Sequence, residues 1–163
     1  MNKAATIFFR ILLSVMAAVA CLSAARAETG QTWYPYASGL GADGYDVVAY
    51  FVAGDAQKGS GKFSVEHQGV KWHFASEENR EAFIADPDRY LPEYGGYCAY
   101  AMGKGYNAFG DPKVWAIHEG RLFFNYNQPT QEVWKVEREQ LIPSADENWA
   151  QLWPQPAASD ANQ

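Results

Sequence analysis

The stretch "FSVEHQGVKWHFASEENREAFIADP", residues 63–87, decides the fold. Apolar and polar side chains alternate on both sides of the turn pair Gln68-Gly69, which predicts a β-hairpin with one buried face. Ser76 then offers its hydroxyl as an N-cap, and the two glutamates after it suit the positive end of a helix dipole. We therefore predict a β-hairpin followed directly by a helix that ends near Ala85.

A second hairpin and helix lie further along the chain. The segment "KVWAIHEGRLFFNY", residues 113–126, alternates in the same way around Glu119-Gly120. The segment "PTQEVWKVEREQLI", residues 129–142, predicts a helix. Pro143 is expected to end that helix, and residues 145–153 are expected to form a last one.

Two shorter segments complete the predicted fold. "DVVAYF", residues 46–51, is β-branched and aromatic and predicts a short buried strand. Residues 97–102 predict a short helix that ends at Gly103 or Gly105. No internal repeat is visible in the sequence. The predicted class is α+β: a small antiparallel sheet from two β-hairpins, with short helices packed against it.

The first 27 residues have the pattern of a secretory signal sequence. Basic Lys3 and Arg10 are followed by an apolar run over residues 11–22, which is too short to span a bilayer comfortably. Cleavage is expected after Ala27, which predicts a periplasmic or secreted protein. The alternative is a lipoprotein acylated at Cys21.

The remaining chain is predicted to be one acidic domain. Residues 28–43 form an N-terminal arm, residues 44–153 the domain with its C-terminal helical extension, and residues 154–163 a disordered tail. Three of the 13 basic residues lie in the signal sequence and none of the 19 acidic ones, so the net charge after cleavage is −9. This charge disfavours nucleic acid and anionic lipid as partners. No later segment is apolar enough to predict a transmembrane helix.

The segment "VKWHFASEENREAFIADPDRYLPEYGGYC" resembles the YHS domain family, which is related to the TRASH metal-binding modules. The resemblance rests on "HFAS" at 73–76, on Phe83 in the helix, and on Pro87 and Tyr90 after it. It covers roughly residues 44–92, and the rest of the chain resembles an exported bacterial branch of the family that extends the domain. The resemblance implies a small α+β module that binds a ligand or assists another protein.

The resemblance fails at the metal ligands. Metal-binding members of the family carry "FCSxxC", with two thiolates where the strand turns into the helix. Ala75 and Asn79 stand at those positions here, and neither is a soft ligand. A metal site in this chain would therefore need other residues.

Cys98 is the only cysteine left after cleavage, so the mature chain cannot form an intramolecular disulfide. Met102 lies four residues further on and shares a helix face with it. Two sulfur ligands and one histidine, His73, would suit Cu(I), or less well Zn(II). The alternative is that both sulfur side chains simply fill the core.

Four tyrosines surround Cys98 in the sequence and predict a pocket. Their rings would supply apolar walls, and their hydroxyls the few polar points that a small ligand needs. These residues are Tyr94, Tyr97, Tyr100 and Tyr106.

No catalytic residues are predicted. The carboxylates form no recognisable acid–base pair, and Cys98 has no partner in a CxxC motif. The three histidines, His67, His73 and His118, are not placed by any known motif.

We predict an exported YHS-like binding or accessory module that handles a soft metal, copper before zinc, through the Cys98 region. The alternative is a small-molecule or protein-binding module in which Cys98 is buried and no metal is bound. The partner would be a small molecule, a metal ion or another periplasmic protein.

Overall fold

The structure is a computed structural model that describes residues 33–152. The predicted signal sequence, Cys21 and the C-terminal tail lie outside the described residues. Four helices and four strands follow one another in this order: α1 (Ala49–Val52), β1 (Ser60–His67), β2 (Val70–Phe74), α2 (Glu77–Ala85), α3 (Ala99–Gly103), β3 (Asp111–His118), β4 (Arg121–Asn125) and α4 (Gln128–Leu152).

The α+β class is confirmed, and both predicted hairpins are present. Strands β1 and β2 pair antiparallel, and so do β3 and β4. The described residues contain two separate two-stranded sheets rather than one joint sheet. The helix after the first hairpin has its predicted N-cap, because Ser76 Oγ accepts the N–H of Asn79 at 3.2 Å. No helix within residues 33–152 has the length and apolarity to cross a membrane.

Two local predictions are wrong. The segment predicted as a strand over residues 46–51 instead turns into helix α1. The Asp46 carboxylate accepts the N–H groups of Val48 and Ala49 and is fixed by hydrogen bonds from the distant Ala75 and Asn79, and these bonds override the β preference of the side chains. Pro143 also does not end its helix, since α4 continues through it to Leu152.

The core consists of two hydrophobic clusters. The first packs around Trp72, Phe74 and Phe83, and the second around Phe123 and Trp134. Phe83 of α2 and Trp134 of α4 are each fully buried and anchor their helices to the hairpin that precedes them.

The two hairpins have the same register, although the sequence shows no repeat. Ser60 pairs with Phe74, and 51 residues later Asp111 pairs with Asn125. A register shift follows this first pair in both hairpins. Each hairpin also closes through a turn of two positive-φ residues, the second of which is a glycine.

The segments around the hairpins repeat as well. In each case three consecutive positive-φ residues precede the short helix: Ala42, Asp43 and Gly44, and 52 residues later Tyr94, Gly95 and Gly96. The N–H of Asp46 donates to Gln57 O at 2.8 Å, and the N–H of Cys98 donates to Ala108 O at 3.0 Å. The chain therefore contains two structurally equivalent units, a first unit (residues 40–85) and a second unit (residues 92–152).

Candidate functional site

Cys98 lies immediately before α3 in the second unit and is 1% exposed. Together with six other residues it lines a cavity of about 220 Å³, which we call the Cys98 pocket. The other lining residues are Tyr100, Ala101, Tyr106, Ala108, Tyr126 and Thr130. Most of the lining is apolar, and the lining includes no charged side chain.

Two of the four predicted pocket tyrosines, Tyr100 and Tyr106, line this cavity. Tyr94 does not, because the positive-φ turn directs it into the second core cluster, where its hydroxyl donates to Asp146 Oδ1 at 2.9 Å. Tyr97 is absent from the lining as well, and its ring packs against Tyr34 instead, with 5.0 Å between the ring centroids.

Sequence reasoning missed Tyr126 and Thr130, which come from the junction between β4 and α4. Both are distant from Cys98 along the chain, so no local pattern connects them to it. A signal for these two residues existed in the first unit. Ala75 and Asn79 occupy its junction between β2 and α2, which is equivalent to the junction between β4 and α4. That junction is where the YHS resemblance places its metal ligands.

Burial raises the pKa of the Cys98 thiol above its ordinary value, because water no longer solvates a thiolate there. The backbone N–H groups of Ala101, Tyr126 and Tyr100 face the sulfur and oppose this shift, because they favour the thiolate. Since the raised pKa prevails, the thiol is protonated at neutral pH and is not an activated nucleophile.

Asn125 lies beside the thiol and is fully buried. The Cys98 thiol donates a long hydrogen bond to Asn125 Oδ1, with 3.9 Å between sulfur and oxygen. The Nδ2 group of the same amide is buried and has no hydrogen-bond partner in the part of the chain that the structure describes. Buried amide donors are usually satisfied, so this unused N–H group next to the sulfur requires an explanation.

The structure gives little support to the predicted metal ligands. Met102 is fully buried in the second core cluster, and His73 lies on β2 of the first unit, opposite Ser64. No histidine is among the described residues that line the Cys98 pocket. Within residues 33–152, no three His, Cys, Asp or Glu side chains are grouped so that they could hold a metal ion.

The other two histidines lie next to side chains outside the Cys98 pocket. His67 packs edge-on against Phe83, with 5.5 Å between the ring centroids. His118 Nε2 lies 3.3 Å from a carboxylate oxygen of the exposed Glu139. Neither histidine is positioned to serve as a base for Cys98.

A carboxylate in the first unit replaces the thiolate pair that the resemblance would place there. Asp46 is fully buried, and its Oδ1 accepts the N–H groups of Val48 at 2.9 Å and Ala49 at 3.2 Å. Its Oδ2 accepts the N–H of Ala75 at 2.8 Å and Nδ2 of Asn79 at 2.7 Å. The carboxylate thus joins the start of α1 to the junction between β2 and α2.

Asp46 in the first unit and Cys98 in the second unit are equivalent residues. The three backbone N–H groups that face the carboxylate of Asp46 correspond to the three that face the sulfur of Cys98. We call each set of three an N–H cradle. The equivalent residues are Val48 and Tyr100, Ala49 and Ala101, and Ala75 and Tyr126; Asn79 corresponds in the same way to Thr130.

A larger opening, of about 450 Å³, lies between the N-terminal arm and the first hairpin. It is lined by Trp33, Tyr36, Leu40 and Val70, among others, and by no acidic, basic or thiol side chain. It therefore has the volume to hold a ligand, but its described lining lacks reactive or charged side chains. The Cys98 pocket is the stronger candidate site.

No family model, curated protein or solved structure matches this chain. The resemblance to the YHS family therefore stays a prediction, and a functional proposal has to rest on the geometry of the Cys98 pocket.

Proposed function

We propose that this chain is a non-catalytic binding module that holds a small, mainly apolar molecule in the Cys98 pocket. The pocket is small, with a volume of about 220 Å³, and suits a ligand of the size of a single aromatic ring. Tyr100, Tyr106 and Tyr126 supply rings for apolar contact and hydroxyls for orientation.

The proposal rests on a difference between the two units: the N–H cradle is closed in the first and open in the second. In the first unit the N–H cradle is closed, because Asp46 fills it and bonds to the side chain of Asn79. In the second unit the shorter Cys98 and Thr130 leave a cavity at the equivalent place. The fold can pack this region tightly, so the open space in the second unit is a specific property of its sequence.

A binding role fits the chemistry better than a catalytic one. Burial raises the pKa of the Cys98 thiol, and none of the described residues that line the pocket is a histidine or a carboxylate that could act as a base. Export to the periplasm, inferred from residues 1–27, remains part of the proposal.

Phenol and indole are suitable probes because each combines one aromatic system with one hydrogen-bonding group. We expect either probe to shift the backbone amide NMR signals of Tyr100, Ala101 and Tyr126 in the full chain. Ala108→Leu, which places a larger side chain in the pocket lining, should abolish these shifts. Ala85→Leu, at an exposed position at the end of α2, is the matched control.

Two results would count against the proposal. In the first, the probes shift only the residues around the larger opening, such as Trp33 and Leu40. In the second, Ala108→Leu binds the probes as well as the wild type does.

A further inference from the structure

At equivalent positions, the first unit has the carboxylate of Asp46 and the second unit has the thiol of Cys98. Three backbone N–H groups face each of them. A carboxylate accepts several hydrogen bonds on two oxygens, whereas a thiol sulfur is a weak acceptor. The N–H cradle of the second unit is therefore arranged for more negative charge than the Cys98 thiol carries.

Asn125 independently supports the same conclusion. Its amide is fully buried and touches the thiol through Oδ1, and its Nδ2 has no partner. A half-turn of the amide would direct this unused donor at an oxygen atom bonded to the sulfur. Asn125 and the three backbone N–H groups together would then supply four donors. The Asp46 carboxylate also accepts hydrogen bonds from four donors.

We propose that Cys98 is an oxidation site at which peroxide converts the thiol to a sulfinate, and that this sulfinate occupies the second N–H cradle as the Asp46 carboxylate occupies the first. A cysteine sulfinate carries two oxygens on the atom bonded to Cβ, as an aspartate does. One oxygen would accept from Tyr100 and Ala101, and the other from Tyr126 and Asn125.

The oxidation consumes two molecules of hydrogen peroxide or of an alkyl hydroperoxide. In the first step the thiolate sulfur attacks one peroxide oxygen, an S–O bond forms and the O–O bond breaks. The leaving hydroxide or alkoxide takes the proton that the thiol released, so the products are a sulfenic acid and water or an alcohol. A second peroxide adds the second oxygen to sulfur in the same way, and the resulting sulfinic acid releases its proton to water to give the sulfinate. Each step transfers two electrons from sulfur to the peroxide.

The Cys98 pocket gives a small oxidant a route to the sulfur, since Cys98 is part of its lining. Thr130, the equivalent of Asn79, lines the same cavity. The reaction is expected to be slow, because burial keeps the thiol protonated. The proposal holds whether or not the pocket also binds a small molecule.

The test uses the full chain with Cys21→Ser, so that Cys98 is the only thiol. After treatment with hydrogen peroxide at pH 8, we expect tandem mass spectrometry to find a gain of about 32 Da on Cys98, which is two oxygen atoms. The melting temperature should rise by about 3–8 °C, because the new anion satisfies buried donors. Cys98→Ser in the same background controls for the oxidation of methionines.

Three results would overturn the proposal: no oxidation of Cys98 in the folded chain, progression to the sulfonate without a stable sulfinate, or a fall in melting temperature once the sulfinate has formed. Cys98→Asp supplies a second test, because it carries a permanent carboxylate. It should melt above Cys98→Asn, its uncharged match. A Cys98→Asp chain that melts below Cys98→Asn, or fails to fold, also counts against the proposal.

Discussion

Asp46 and Cys98 occupy equivalent positions in two units of one chain, and backbone N–H groups from the same two places in each unit face the carboxylate and the sulfur. Asp46 closes its site with the side chain of Asn79. Cys98 leaves its site open to a cavity of about 220 Å³. The first unit thus shows what the second unit would look like if it were filled by an anion.

The Asp46 carboxylate is expected to be essential for the stability of the first unit. Asp46→Ala removes the acceptor of four buried hydrogen bonds and leaves their donors unsatisfied, which should cost about 3–5 kcal/mol of unfolding free energy. Urea denaturation measures this loss, with the exposed Asp88→Ala as the control. A change below about 1 kcal/mol for Asp46→Ala would show that the bonds contribute little.

Gly110 cannot accept a side chain. A Cβ atom there would lie 2.2 Å from Gly96 O, a backbone atom that cannot move aside, so Gly110→Ala should destabilise the chain by about 2–4 kcal/mol. Gly61→Ala is the matched control, because its Cβ would meet nothing closer than a side-chain atom of His73 at 3.7 Å. Thermal melting of both variants compares the two positions, and equal losses would contradict the prediction.

The Cys98 thiol should make stability depend on pH in the alkaline range. Because burial raises its folded-state pKa, the folded chain keeps a proton that the unfolded chain loses. Its contribution is therefore complete below the ordinary thiol value near 9.0 and is lost as pH rises above that value towards the folded-state pKa. Buried tyrosines act in the same direction, so the difference between wild type and Cys98→Ser isolates the thiol. Identical pH profiles for the two proteins would contradict this prediction.

Copper binding separates the proposed function from soft-metal handling, which is the first prediction from the sequence. Cys98 and Met102 supply at most two sulfur ligands, and no histidine lines the pocket within residues 33–152. We expect a competing chelator to remove Cu(I) from the wild type as readily as from Cys98→Ala. Tight Cu(I) binding that is lost in both Cys98→Ala and Met102→Leu would establish a soft-metal site instead, and the same titration can be made with zinc.

The sequence was a good guide wherever the determining interactions are local. Alternation around Gln68-Gly69 predicted the first hairpin, and Ser76 predicted the start of α2, because turns and caps depend on neighbouring residues. The predicted end of α2 at Ala85 was also correct.

Prediction failed where distant residues decide the structure. Residues 46–51 have strand-forming side chains, but the Asp46 carboxylate binds Ala75 and Asn79 from another part of the chain and fixes the turn into α1. Pro143 lies within α4 because Leu141 and Ala145 are buried on either side of it, and this burial compensates for one missing hydrogen bond.

The internal repeat was invisible for a related reason. The two units share backbone angles, register and buried positions, whereas the side chains at those positions differ. Trp72 corresponds to Phe123, and Asp46 to Cys98, so a comparison of residue types finds little in common. The part of the pocket lining formed by Tyr126 and Thr130 is recognisable only from the strand pairing that makes the two units equivalent.

Leu122 and Phe124 of the second hairpin belong to the hydrophobic cluster of the first unit. The first unit therefore cannot complete its core without the second, and the chain should unfold cooperatively despite its repeated architecture. Calorimetry should show one heat-absorption peak whose van't Hoff and calorimetric enthalpies agree, whereas two resolved peaks would mean that the units melt independently. A ligand in the Cys98 pocket, or oxygen atoms added to Cys98, would then change the stability of the whole molecule.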